Sequence, residues 1–305
     1  MKIIQSFWSK PIEFFDTNNS GRFQGGWYDT RYNLLSWAYS CLQLRKFYDE
    51  VELYTDELGK RLLIDKLQLP YTKVNVVFQN IEKYDPGLWA LGKIYTYSLQ
   101  KQPFIHVDGD VYIWNQFPEK FKNAELISQN IESNFSFYTH LIKSLKEIDF
   151  RFPDYIKENL ISGKNNAYNA GIFGGNNIDF FQDYTQEAFR LIEINSSILH
   201  KIDLGRFNTF YEQYLFYCLS IKNKVSVECY TDLTEPADLD EKLKSLKGFK
   251  SAPLDDVELI HFYGEDRKKD IKVCKALENR MINEHPYYAK KILGKINKKQ
   301  LSLIK

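Results

Sequence analysis

Residues Phe104 to Trp114 read FIHVDGDVYIW, an apolar block with two carboxylates, Asp108 and Asp110, set inside it. Phe104, Ile105 and Val107 have the composition of a buried strand. Val111, Tyr112 and Ile113 continue the apolar run on the far side. Two carboxylates in such surroundings repel each other and lose hydration, so something must compensate them. A hard divalent cation does so economically, because Mg²⁺ and Mn²⁺ take oxygen ligands and Mg²⁺ is usually shared between one or two carboxylates and a substrate phosphate. Gly109 lets backbone and ligand come close where a side chain would intrude. The same Asp-Gly is a strong turn signal between strands, so this stretch alone reads equally well as a tight hairpin.

The rest of the chain gives the stretch a context. Ile3 to Phe7, Val51 to Tyr54 and Val74 to Phe78 read as strands, and amphipathic helices separate them. Asp29 or Thr30 caps the first helix and Asp56 the second, which Pro70 ends. A further helix over Trp89 to Leu99 leads into the apolar block. This alternation implies a mostly parallel central sheet with helices on both faces, an α/β fold whose ligands bind beyond the carboxyl ends of the strands. The Asp108–Asp110 pair falls at such an end. Further strands are read at Ala124 to Gln129, Asn169 to Gly174, Val225 to Tyr230 and Val257 to Phe262. Helices are read at Phe135 to Ile148, Ile178 to Asn195, from Asn208 or Thr209 to about Ser220, and Asp270 to Asn283. The turn-rich stretch from Pro11 to Trp27 is long for a connection and reads as a binding loop or lid, with Trp8, Trp27 and Tyr28 at hand to stack on a base or sugar. No linker or repeat is evident. The reading is one catalytic domain over residues 1–285 and a basic amphipathic extension over 286–305.

Charge and cysteine content narrow the function. With Lys+Arg 41 against Asp+Glu 40, the near-zero balance excludes a general nucleic-acid binder. Aromatic residues make up 16% of the chain, which fits an aromatic-rich core or a sugar-handling cleft. Cys41, Cys218, Cys229 and Cys274 are scattered, with no spacing suited to zinc, so they read as reduced structural thiols. The first residues carry no signal-like apolar run, and no stretch is long enough to cross a membrane. The expectation is a cytoplasmic protein. Its Lys290, Lys291, Lys295, Lys298 and Lys299 are free to meet the inner surface of a membrane peripherally.

Four further features follow in order around the D-x-D: Lys93 on the preceding helix; Asn169, Ala170 and Gly171 as an N-A-G on a short strand; Glu212 and Gln213 opening a helix; and HFYGEDRKK with His261, Gly264, Arg267 and Lys268 after the last strand. The series, covering most of the chain, resembles the GT-A glycosyltransferases, especially glycosyltransferase family 8 and related D-x-D sugar transferases. That resemblance implies a GT-A (nucleotide-diphospho-sugar transferase) fold. It implies Asp108, Asp110 and His261 as ligands of a metal on the donor's diphosphate. An imidazole suits manganese better than magnesium. By the same likeness Lys93 touches phosphate or sugar, Asn169 and Gly171 lie beside the donor sugar, and Glu212 and Gln213 lie under the anomeric carbon of a retaining enzyme. The implied partners are a nucleotide-sugar donor, a UDP-sugar foremost, and a hydroxyl of a glycan or lipid-linked glycan. The family has Lys six residues after its His; here that place is Arg267, with Lys268 next, and either can pair with phosphate. The family's Pro-Trp after that lysine and its aspartate in the first strand are absent.

Two other classes share parts of this pattern. A phosphohydrolase of the haloacid-dehalogenase type also places a D-x-D after an apolar strand, with Asp108 as the nucleophile. A non-catalytic nucleotide-sugar or glycan-binding protein would keep the pocket without turnover.

Overall fold

The structure, a computed structural model, describes residues 1–11, 25–133, 135–161, 163 and 165–297. In chain order the strands are β1 (Lys2–Phe7), β2 (Val51–Thr55), β3 (Lys73–Val76), β4 (Phe104–Val107), β5 (Val111–Ile113), β6 (Leu126–Ser128), β7 (Ile131–Glu132), β8 (Ala167–Tyr168), β9 (Ile172–Gly175), β10 (Val227–Cys229) and β11 (Leu259–His261). The helices used below are α1 (Thr30–Phe47), α2 (Leu91–Ser98), α3 (Ile178–Ile194), α4 (Leu215–Asn223), α5 (Ile271–Glu284) and α6 (Pro286–Asn297). A seven-stranded, mainly parallel sheet is the centre of this mixed α/β fold. β1 runs parallel to β2, β2 to β3 and β10 to β6, whereas β9 is antiparallel to β6.

The described residues divide into two compact units, each built from separated stretches of chain. One draws on Lys2–Pro86, Val107–Gln116 and Asp240–Lys305. It supplies β1, β2 and β3 to the sheet and holds the separate β5–β11 pair. β1 is legible because Ile3, Ile4 and Phe7 are all buried. α1 starts where Asp29 accepts hydrogen bonds from the backbone of Arg31 and Tyr32, satisfying amides that the first turn leaves open. Its core joins Leu34, Leu35, Ala38, Cys41 and Leu42 to Leu53, Tyr112, Ile260 and Leu277. The apolar side of α6, Ala289 and Ile292, is buried in the same core, with Tyr288 and Leu293 packed against it. On its other side Tyr287 and Lys290 are exposed.

The other unit draws on Gly87–His106 and Phe117–Leu239 and contributes strands in the order β10-β6-β9-β4. Its core is a cluster of rings: Tyr97 stacks on Phe104 and on Tyr184, and Phe173 stacks on Phe216 with centroids 4.2 Å apart. Much of the chain's aromatic content is thus spent on packing. β9 needs glycine because a Cβ on Gly174 would lie 2.1 Å from the Phe104 carbonyl oxygen.

Several expected elements shift. Asn169, Ala170 and Gly171 form the turn between β8 and β9 rather than a strand, because the Asn169 Oδ1 accepts from Gly171 N–H and bends the chain. The helix expected to be capped by Asn208 or Thr209 starts at Leu204, capped by Asp203. Asn208 is buried and reaches elsewhere: its Oδ1 accepts from Ala90 N–H and its Nδ2 donates to Gly87 O, which fixes the approach to α2. Glu212 and Gln213 accordingly lie within a π-helical turn, Phe210–Tyr214, ahead of α4 rather than at a helix start. The expected loop over 11–27 lies mostly outside the described residues, as do Lys298 and Lys299. Among the described residues no helix is long and apolar enough to cross a membrane.

Candidate functional site

After β4 the chain turns at Asp108 and Gly109, closed by Val111 N–H donating to the Asp108 carbonyl. It then enters β5, which pairs with β11 antiparallel, His261 standing opposite Val111. The hairpin reading of Asp-Gly is therefore replaced by a crossing: the strand after the turn takes its partner from about 150 residues further on. That register puts His261 diagonally across from Asp110, and Phe262 N–H donates to the Asp110 carbonyl. Ligand atoms of Asp108, Asp110 and His261 all lie within 4.8 Å of one another. His261 Nε2 is 3.4 Å from Asp110 Oδ1. Two ligands at neighbouring corners of an octahedral cation stand about 3 Å apart, given bonds of about 2.0–2.2 Å. Two carboxylates and an imidazole at such separations fit a divalent cation as a donor set.

Buried polar side chains hold the turn. Gln5 Nε2 donates to the carbonyls of Val107 and Asp108, at 3.2 and 3.4 Å. Ser40 Oγ donates to the Asp108 carbonyl, and Ser36 Oγ to the Gly109 carbonyl at 2.7 Å. These three were not singled out from sequence. The available signals were a Gln inside the apolar β1, and two serines one helical turn apart on the buried side of α1. Gly109 is needed for a different neighbour than expected: a Cβ there would come within 2.5 Å of the Trp37 ring. Gly109→Ala should therefore cost about 1–3 kcal/mol, read by chemical denaturation, because the indole must move out of a packed site.

Asp110 also meets Lys268, whose Nζ is 2.6 Å from Oδ2. Burial alone would raise the Asp110 carboxyl, but the Lys268 ammonium and then His261 outweigh it and hold it well below the usual carboxylate range. Lys268 belongs to the short helix Glu265–Lys269, which Gly264 enters with a left-handed φ of +80°. Of the two basic residues at this motif, Lys268 is the one drawn to the carboxylates. Trp8 and Trp27 are buried, Trp27 edge-on to Phe262, so their rings belong to packing.

The remaining expected residues gather in the other unit. Lys93 on α2 and Glu212 in the π-helical turn form a buried ion pair, Nζ to Oε1 2.6 Å, with side chains 10% and 1% exposed. Lys93 also donates to the Ala170 carbonyl at 3.3 Å. Tyr184 donates its hydroxyl proton to the Glu212 carbonyl. Burial pushes the Glu212 carboxyl up, with Lys93 pulling it back in part. His106, buried and edge-on to Tyr97, is held well below its ordinary value by burial and then by the Lys93 charge. Its place was not foreseen from sequence. Asn169 donates to Glu132 Oε1 at 2.7 Å, and Tyr138 donates to the same carboxylate. Gln213 keeps a buried amide oxygen without a hydrogen-bond partner among the described residues. Departures from α-helical geometry, together with unsatisfied acceptors, are commoner at functional positions than elsewhere.

The structure thus assembles two groups: Asp108, Asp110, His261 and Lys268 in one unit, and Lys93, Ala170 and Glu212 in the other. A search of the curated proteins finds no match to the chain. Its match to the family described as a family of unknown function (DUF6734) extends over residues 1–295, nearly the whole sequence, and the chain belongs to that family.

Proposed function

We propose that the protein is a metal-dependent glycosyltransferase with a GT-A fold, moving a hexose-type sugar from a nucleotide diphosphate sugar, a UDP-sugar foremost, to a hydroxyl of a glycan or lipid-linked glycan. The convergence of Asp108, Asp110 and His261 carries this reading: two carboxylates after a strand and an imidazole from a distant one offer their ligand atoms within 4.8 Å. These three residues would hold Mn²⁺ or Mg²⁺, which supplies Lewis-acid stabilisation of the departing diphosphate. Lys268 adds a positive charge beside them, suited to an anionic leaving group. Gly264 opens the helix that carries Lys268 and leaves free space at its α-carbon. Glu212 and Gln213 are proposed for the reacting sugar and Asn169 for its positioning. Lys93 offsets part of the cost of burying the Glu212 carboxylate. Retention of anomeric configuration rests on the likeness to family 8.

A thermal-shift screen of nucleotide sugars with and without Mn²⁺ tests the reading. A ligand at about 100 times its Kd should stabilise the fold by about 2.7 kcal/mol, and only when Mn²⁺ is present. His261→Ala should weaken the Mn²⁺ dependence by about tenfold or more, as read from the same titration. No shift with any nucleotide sugar would overturn the proposal. A metal-dependent shift without turnover on any acceptor would point to the binding-protein reading. A phosphoaspartate trapped on Asp108 would point to the phosphohydrolase.

A further inference from the structure

Both oxygens of Asp110 are engaged before any ligand arrives. Oδ1 faces His261 Nε2 at 3.4 Å and Oδ2 faces Lys268 Nζ at 2.6 Å, with the Asp110 side chain 13% exposed and that of Lys268 17%. A divalent cation bonded to this carboxylate would stand next to the lysine ammonium, and the two like charges repel strongly where water is scarce. The lysine side chain can withdraw without its backbone moving. Its backbone is pinned, with Tyr28 N–H and Cys274 Sγ both donating to the Lys268 carbonyl. Its side chain is a flexible four-carbon stem ending in a point charge, which also donates to the Gly25 carbonyl at 3.3 Å. Charge gives the direction of the exchange. A divalent cation beside the Lys268 ammonium adds two positive charges at Asp110. An anion then restores the balance and gives the displaced ammonium a partner.

We propose that Lys268 couples the two ligands of this site: it occupies Asp110 in the free protein, the cation evicts it, and a diphosphate captures it. Cation and diphosphate then bind cooperatively, each weakly alone. This rests on the reading of Asp108, Asp110 and His261 as a cation site, and deepens it.

The test measures free Mn²⁺ by its electron paramagnetic resonance signal during titration into wild type and Lys268→Met, with and without UDP, correcting for Mn²⁺ held by UDP in solution. UDP should tighten Mn²⁺ binding to wild type by about fivefold or more, within the usual range of such coupling. Lys268→Met should bind Mn²⁺ alone about fivefold or more tighter than wild type, and its gain from UDP should shrink by a similar factor. If the methionine variant does not fold, Lys268→Gln takes its place with the same expectation. Equal Mn²⁺ affinity in wild type and variant, or an undiminished UDP effect in the variant, would overturn the coupling while leaving the cation site standing. Absence of Mn²⁺ binding in every arm would remove the site and the coupling together.

Discussion

Lys93→Met should destabilise the protein by about 3–5 kcal/mol, because it leaves the Glu212 carboxylate buried without its counter-charge. The pair is enclosed, with Glu212 only 1% exposed, so solvent does little to screen the loss. Removing both charges together, as Lys93→Met with Glu212→Leu, should restore most of that stability, since apolar replacements of a buried pair are often neutral or better. Urea denaturation of the three proteins would show it. The pH dependence has a definite sign. Glu212 has a carboxyl pushed up by burial against the pull of Lys93. A carboxyl that binds its proton more tightly when folded favours the fold at low pH, and the fold loses that contribution as pH rises past the unfolded value. With Lys93 gone the upward push is unopposed, so the deficit of Lys93→Met should shrink as pH is lowered from about 7 to about 5. A deficit that grows on acidification, or one smaller than about 1 kcal/mol at neutral pH, would show that the pair is solvated. If the charge-free double variant is stable but transfers no sugar, the pair acts in the reaction rather than only in the fold.

On the proposed reading, Asp110→Asn is expected to abolish metal-dependent transfer in a protein that still folds. The amide keeps the size of the carboxylate and can still accept from Lys268, but it no longer carries the charge that a divalent cation requires. Loss of a group that merely supports a metal ligand typically costs about 10–100-fold, so loss of a ligand itself should reduce transfer by at least about 10². The Mn²⁺-dependent thermal shift should vanish with it. Wild-type turnover in this variant at saturating Mn²⁺ would exclude Asp110 from the metal's shell. Circular dichroism and a denaturation midpoint close to wild type would separate this loss from unfolding.

How much of this was legible in the chain depended on whether the signal was local. β1 and β2 follow from apolar runs and their observed boundaries fall within a residue of the expected ones, and α1 starts at the expected Asp29 cap. The three proposed metal ligands stood out because Asp108 follows an apolar run, Asp110 precedes one and His261 ends one, where a carboxylate or an imidazole needs a reason. What could not be read was set by distant partners. Asn208 has the chemistry of a helix cap, but its amide serves the approach to α2, more than 100 residues earlier. Asn169 and Gly171 sit between two strands of two and four residues, too short for an alternating pattern to declare itself. The choice between Arg267 and Lys268 was hidden because one step along a helix turns a side chain by about 100°. Gly109 was noticed for the right reason, a close approach, but the approaching group is Trp37 rather than a ligand.

The two-stranded ladder of β5 and β11 has a consequence for the life of the chain. β11 is translated about 150 residues after the strand it completes, so a nascent or truncated polypeptide ending before His261 carries both carboxylates of the turn but lacks the imidazole. On the proposed reading, a polypeptide that stops short of that imidazole should show no Mn²⁺-dependent thermal shift.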